Sequence, residues 1–390
     1  MNLWKKASSF LKDQNSIFFA KLARRTSFRN PDLETAIIRA TSHDEFSVDY
    51  KNAQRVFSWV RTSPTSLSPL ICALSARLEK TRYWVVALKG LMLMHGIYCC
   101  KIPALRRIGR LPFDLSDFVD GYSSSERTWE YNAFVRAYFA FLDQRSVYDA
   151  SEDTKHDQNN ANEASILLAL QELQRSQVLL DMLMQIRPYS DGLDVVLILE
   201  AMDCIIIEIF DVYSRICNGV AGVLVQIYEA NKAEGELALR ILYKAALQAA
   251  ELSSYFEFCR ENGVLNASEF PKVEQIPDED IQDLEQLING VSSRRISETF
   301  QDENTVETMT KAGEDTQLTE EQDARSLLRT IVTENWVVFD DENAKYIDPF
   351  EASPGIPEFL CGYEDGFNNS RGFLQLNQYY NSLPRAFPIT

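Results

Sequence analysis

The sequence predicts an all-α chain: a helical head that continues into long antiparallel helices, packed as a bundle or a superhelical stack, and ends in an acidic, disordered C-terminal tail. Three observations carry this. Only 15 glycines and 13 prolines occur in 390 residues, too few for the turns of barrels and sandwiches or for Gly-rich phosphate-binding folds. Apolar residues recur at helical spacing in long runs between Leu33 and Phe258. From about Ser268 onward acids, Gln, Ser and Thr dominate and apolar anchors thin out.

The elements follow in order. Leu3, Trp4, Ala7, Phe10 and Leu11 fall on one side of an N-terminal helix, flanked by Lys5, Lys6 and Lys12. Pro31 and Asp32 form a start signal for a helix over 33–38. A helix over 50–59 follows, then one over 68–78 that begins at a Ser-Pro pair. Residues 83–98 are apolar on nearly all sides, which predicts the central helix of this part. A turn-rich stretch, 111–125, leads to a helix over 129–143, and the polar run 148–162 reads as a flexible loop. Three long periodic segments come next: 163–186, stopped by Arg187-Pro188, then 193–230, then 234–258, which closes near Gly263. Short connections between long helices predict antiparallel packing. A short helix is expected around 320–332. The chain therefore divides into a basic head (1–147), a loop (148–162), a long-helix part (163–265) and an acidic tail (266–390).

Charge follows the same division. The formal charge is −18, yet residues 1–120 hold 19 Lys/Arg against 10 Asp/Glu, and the remaining 270 hold 20 against 47. A basic head on an acidic remainder fits contact with an anionic surface, and nucleic acid and anionic lipid both meet that description. Glu200, Asp203 and Glu208 interrupt the longest apolar run, so no membrane span is expected. The seven cysteines are scattered among apolar residues without a Cys-x-x-Cys, which predicts buried thiols rather than disulfides or a zinc site.

The search for catalytic chemistry finds no Walker loop, Gly-x-Gly-x-x-Gly, His-Glu-x-x-His or Gly-x-Ser-x-Gly. Of three histidines, His95 lies in the apolar helix and reads as a core residue, and His156 sits in the polar run. No enzyme, cofactor or metal is expected.

The segment Ile37-Ile38-Arg39-Ala40-Thr41-Ser42-His43 resembles the Lys-Ala-Thr-x-His stretch of the ANTH family of clathrin-assembly adaptors. The run from Trp84 to His95, with Lys89, Leu91 and His95, resembles that family's central helix, in which an aromatic precedes Lys-x-Leu-x-x-x-His. Residues 172–188 and 195–219 resemble its long C-terminal helices, and Trp336 to Glu342 is similar to plant members. The resemblance covers about residues 1–265. It implies a superhelix on a bilayer surface, a tail that recruits coat components, clathrin as a direct or indirect partner, and a vesicle SNARE as cargo of the long helices. It also implies a peripheral, cytoplasmic location at clathrin-coated pits and vesicles of the plasma membrane and Golgi, with no nucleic-acid partner.

The family's lipid site has the form Lys-Ala-Thr, six residues, an apolar residue, then Lys-x-Lys-His/Tyr, and holds the phosphates of phosphatidylinositol bisphosphate. Transferred here it implies a site of Arg39, Ala40, Thr41, His43 and Lys51, with Val48 at the apolar position. Asp49 replaces a lysine and Asn52 replaces the His/Tyr. An anion at position 49 removes roughly 1 kcal/mol of attraction to an anionic leaflet and adds repulsion. The N-terminal helix offers a compensating contact: residues 1–30 carry seven bases and one acid. Leu3, Trp4, Lys5, Lys6, Phe10 and Leu11 are its candidates for membrane insertion, and packing on its own domain is the alternative. In the tail, Asp348-Pro349-Phe350 resembles the peptide that binds the appendage of the plasma-membrane clathrin adaptor complex. No clathrin box is present there; Leu179-Leu180-Asp181 lies inside a predicted helix.

Three readings stand side by side. The first is a clathrin-associated membrane adaptor. The second is a helical interaction scaffold with a degraded phosphoinositide site and little membrane binding. The third is a nuclear superhelix that binds a phosphorylated polymerase tail. The tail motif and the Arg-Ala-Thr-x-His match favour the first.

Overall fold

The computed structural model describes residues 3–26, 29–121, 128–156, 166–188 and 195–268, with single positions between 273 and 288. Among the described residues there is no strand, only an isolated antiparallel bridge between Thr26 and Arg29.

Helix α1 (Leu3–Leu22) packs on α2 (Pro31–Ala40) through Ile17 and Ala20. The start of α2 is written in its sequence: the Asn30 side chain accepts from the Asp32 and Leu33 N–H groups, and Pro31 occupies the first turn, where no amide donor is needed. Helices α3 (Tyr50–Thr62) and α4 (Leu67–Lys80) then flank α5 (Trp84–Cys99). As its all-round apolar sequence demands, α5 is buried almost end to end and touches α2, α3, α4, α6 and α8. Gly96 is required by that packing: a Cβ there would lie 2.4 Å from Phe57 Cζ on α3.

Helix α6 (Thr128–His156) is longer than its expected 129–143 and overruns the segment predicted as a loop, of which only 157–162 falls outside the described residues. Two of the residues read as loop are paired instead. The Tyr148 hydroxyl donates to Glu172 on α7 (Ile166–Gln185), and the Ser151 hydroxyl accepts from Arg175 at 3.2 Å. Helix α7 packs against both α8 (Val196–Gln226) and α9 (Lys232–Glu261). Buried amides stitch α7 to α9: Gln177 Nε2 donates to the Ile241 carbonyl at 2.9 Å and Gln248 Nε2 to the Gln177 carbonyl at 2.7 Å. Asn231 and Glu234 form a reciprocal capping box at the start of α9, and Gly263, at φ +78°, ends it.

The expected boundary at 265/266 cuts through packed chain. Asn266 N–H donates to Asp203 Oδ1 at 2.9 Å, and Ala267, Ile281, Leu284 and Ile288 are buried. Their 281, 284 and 288 spacing is one helix face, hidden in the sequence by the acids around it. The helix expected at 320–332, the Trp336 to Glu342 stretch and Asp348-Pro349-Phe350 lie outside the described residues. No described helix is long and apolar enough to cross a membrane.

Candidate membrane-binding surface

The corner between α2 and α3 carries the residues singled out by sequence, and it sorts them into two groups. Arg39 and Lys51 are exposed, on α2 and α3 respectively. Ala40 and Thr41 are buried and do not reach a headgroup. Thr41 instead organises the interior: its hydroxyl donates to the Ile37 carbonyl and accepts from Arg77 Nε, while its own carbonyl accepts from Arg77 Nη2. His43 turns inward as well. Its N–H donates to Asp13 Oδ2 at 2.9 Å, its Nδ1 lies 2.8 Å from Asp13 Oδ1, and its ring stacks on Tyr83. Asp13 is held ionised: burial raises its pKa, but His43 and Arg77 outweigh that and leave it below the usual carboxylate range. The five-residue site implied by the resemblance thus reduces, on its outer surface, to Arg39 and Lys51.

The loop between these bases is pinned from below. Lys89 on α5 is buried and donates to the carbonyls of Asp44 and Ser47, both at 2.6 Å, and to Ser42 Oγ at 3.2 Å. Burial pushes its pKa down to about 8, against the pull of Asp44 and other acids. Asp49 also has a structural task. Its carboxylate accepts from Asn52 N–H at 3.0 Å and from Asn52 Nδ2 at 2.7 Å, capping α3. The two departures from the family pattern therefore bond to each other. Asp49→Ala is expected to lower stability by about 1 kcal/mol, the usual value of such a cap, and a urea titration at constant m checks it.

Helix α1 supplies the second part of the surface. Asp13, Ile17 and Ala20 face inward, while Phe10, Leu11, Phe18, Phe19 and Leu22 stand outward, each 58–70% exposed. One face of the helix thus packs on its own domain, and the opposite face leaves large apolar side chains exposed. Lys12, Lys21, Arg24 and Arg25 lie exposed along the same segment. The side chains of Leu3, Trp4, Lys5 and Lys6 lie outside the described set, although the helix backbone begins at Leu3. Phe18, Phe19 and Leu22 escaped the sequence reading, which stopped at Leu11. The signal was present, since Phe18 and Leu22 continue the Leu11 face at about two and about three turns further on, i+7 and i+11. Exposed large apolar side chains beside bases are the makeup of an interfacial helix.

Comparison with known proteins places this architecture. Residues 32–290 match the family described as ANTH domain, two thirds of the chain. The chain belongs to the ANTH domain family. It is 49% identical over 343 residues to Putative clathrin assembly protein At1g25240 of Arabidopsis thaliana, covering 88% of each chain. It is 44% identical over 349 residues to Putative clathrin assembly protein At1g68110 of the same plant, covering 88% and 89%. It is 42% identical over 290 residues to Putative clathrin assembly protein At1g14686, covering 74% and 82%. The ANTH match includes the buried positions up to Ile288 and starts in α2, so α1 lies ahead of it. ANTH adaptors are non-enzymatic, and so is this chain.

Inside the ANTH domain one charged cluster joins α5, α6 and α8. His95 Nδ1 lies 2.7 Å from the Tyr138 hydroxyl and its Nε2 lies 3.2 Å from Glu208 Oε2, while Arg145 forms an ion pair with the same carboxylate oxygen. All four side chains are buried. Burial alone would lower the His95 pKa, but Cys99 and Glu208 outweigh it and raise it to about 9. Burial would raise Glu208, but Arg145 and His95 outweigh it and hold it at about 2. His95, Cys99 and Glu208 could offer ligand atoms within 4.8 Å of one another. Glu208 is already neutralised by Arg145 and a charged His95, so this set does not fit a metal ion and reads as a structural joint.

Proposed function

We propose that this ANTH protein is a clathrin-coat adaptor that docks its helical head on phosphoinositide-containing membrane. The observation that carries the reading is the outward face of α1, five large apolar side chains exposed beside bases on a helix that is anchored to α2 by its other face. Arg39 and Lys51, both exposed, supply the phosphate-facing charge. The names of the Arabidopsis relatives support the clathrin connection. Asp348-Pro349-Phe350 is the element that recruits the appendage of the clathrin adaptor complex; proline limits the freedom lost on binding and phenylalanine fills an apolar pocket. Val178 on α7 and Leu247 on α9 expose apolar side chains to a helical cargo, a vesicle SNARE. The place of action is the cytoplasmic face of coated pits and vesicles, at the plasma membrane and the Golgi.

Flotation of the full chain with vesicles, with and without phosphatidylinositol 4,5-bisphosphate, tests the lipid part. Arg39→Glu/Lys51→Glu is expected to weaken inositide-dependent binding by about thirtyfold, at about 1 kcal/mol per base removed. Phe350→Ala is expected to abolish capture by the isolated appendage. One observation favours a second reading, a protein-interaction scaffold: at positions 49 and 52 the side chains bond to each other rather than offering cations. Flotation that responds neither to the inositide nor to the two reversals decides for the scaffold.

A further inference from the structure

Helices α3 and α5 end at one pole of the head. Arg61 in the last turn of α3 lies against the Cys100 thiol just past the end of α5, and one turn earlier on both helices Phe57 meets Gly96. The two stretches of chain at this pole, 61–72 and 97–110, hold five bases and no acid: Arg61, Lys101, Arg106, Arg107 and Arg110. The turn that leads into the other end of α3 holds Asp44, Glu45 and Asp49 instead. This pole is therefore distinct from the Arg39 and Lys51 corner.

Arg61, Lys101 and Arg107 are exposed and form no ion pair among the described residues. Arg110 leans on Asp143 at 3.4 Å and keeps 78% of its side chain exposed. Lys101 closes α5 in the left-handed region, φ +50°, where glycine is the usual residue, and so places a cation at the turn itself. The carboxyl ends of α3 and α5 offset about one of these charges, at roughly half a unit each. Helix α4 returns part of it, because its amino end follows α3 closely, with no acid in its first turn and no side-chain cap from Ser66. A surplus of about two to three positive charges remains. Within the two stretches no described large apolar side chain is exposed, and Tyr98, their one aromatic, is buried. The pole thus offers nothing to insert into a bilayer and no platform for stacking bases, only cations for an extended polyanion.

We infer that this pole docks the chain's own acidic segment, residues 298–323. That segment holds nine acids and one base. It begins ten residues beyond Ile288, the last described position, which is buried against Gly235 of α9. The 22 residues from Ile288 to Thr310, in the middle of the segment, reach up to roughly 75 Å when extended. The longest described helix, α8 with 31 residues, measures only about 46 Å, so the tether is long enough to cross the domain. Tethering also raises the effective concentration of the acids at the pole, so that ion pairs too weak to hold a separate peptide hold this one. The docked segment masks the pole from other polyanions. The inference goes beyond the adaptor reading and depends on neither the α1 face, nor Arg39 and Lys51, nor Asp348-Pro349-Phe350.

Lys101 is the lysine among the five bases, so a carbodiimide, which joins a carboxylate to an amine without a spacer, reads the contact. The full chain is cross-linked at low concentration, and the linked peptides of the monomer are quantified by mass spectrometry. Lys101 is expected to link to 298–323 in higher yield than Lys21, Lys51 or Lys232, exposed lysines elsewhere, and about 0.5 M NaCl is expected to remove that preference. Arg61→Glu/Arg107→Glu, two exposed changes that leave Lys101 in place, is expected to cut the Lys101 yield about tenfold. Links spread evenly over the four lysines, or a Lys101 yield that survives the two reversals, overturns the inference. Protection of Lys101 from acetylation by phosphatidylserine vesicles, with no link to 298–323, marks the pole as a bilayer contact and overturns it as well.

Discussion

Arg145→Met is expected to destabilise the ANTH domain by about 3–5 kcal/mol, the usual result of stranding one partner of a buried ion pair. At this size that is a fall in Tm of roughly 6–20 °C. The substitution leaves the Glu208 carboxylate, buried at the junction of three helices, with His95 as the cation bonded to it and Arg215 as a further one nearby. It also removes the guanidinium packed over the Tyr98 ring. Replacing both partners, Arg145→Met/Glu208→Leu, is expected to recover most of the loss, because two apolar groups of similar size need no counter-charge. The same joint has a pH signature. The folded pKa of His95, about 9, lies above its unfolded value of 6.5, so its contribution is complete below pH 6.5 and disappears as pH rises toward 9. Glu208, at about 2 against 4.5, contributes above pH 4.5 and loses that contribution as pH falls toward 2. The stability gap between the wild type and His95→Gln is therefore expected to be widest near pH 5–6 and to narrow toward pH 9; melting curves across that range check it.

Phe18→Asp/Leu22→Asp is expected to weaken vesicle binding by about a hundredfold or more while leaving the Tm within a degree or two. Both side chains are largely exposed, so the fold loses almost nothing when they change. On a bilayer each apolar side chain of this size is worth about 1.5–3 kcal/mol when buried, and the carboxylates add repulsion from anionic lipid. Ile17→Asp on the opposite face of α1 gives the converse pattern, since Ile17 is buried against the domain and its change unfolds the docking of α1 itself.

The core of this fold could be read from particular residues. The run from Trp84 to Tyr98 is apolar all round, and such a helix has nowhere to go except the centre of the domain. Asn30-Pro31-Asp32 announced the start of α2. What stayed hidden depends on distant partners. Tyr148 and Ser151 look like loop chemistry until α6 and α7 lie side by side and pair them with Glu172 and Arg175. Ile281, Leu284 and Ile288 are diluted by acids in the sequence and show as a buried set only in the fold, where Ile288 meets Gly235 of α9. At the candidate site, Arg39 and Lys51 were legible as bases, but Thr41 and His43 were assigned outward because their inward partners, Arg77 and Asp13, lie 36 and 30 residues away in the chain. Asp49 was read as a misplaced anion, although an Asp three residues before an Asn at a helix start is also a capping pattern.

The most direct test of the membrane account uses nitroxide spin labels at positions 18 and 22 of α1, one at a time, with position 51 as a reference, in a Cys72→Ser background. Collision with oxygen and with a water-soluble relaxant is measured for the full chain bound to vesicles containing phosphatidylinositol 4,5-bisphosphate. Labels at 18 and 22 are expected to gain oxygen collisions and lose contact with the aqueous relaxant, while the label at 51 stays at headgroup level. Labels at 18 and 22 that remain fully accessible to the aqueous relaxant on bound protein would contradict the account, because the outward face of α1 would then not be the surface that meets the membrane.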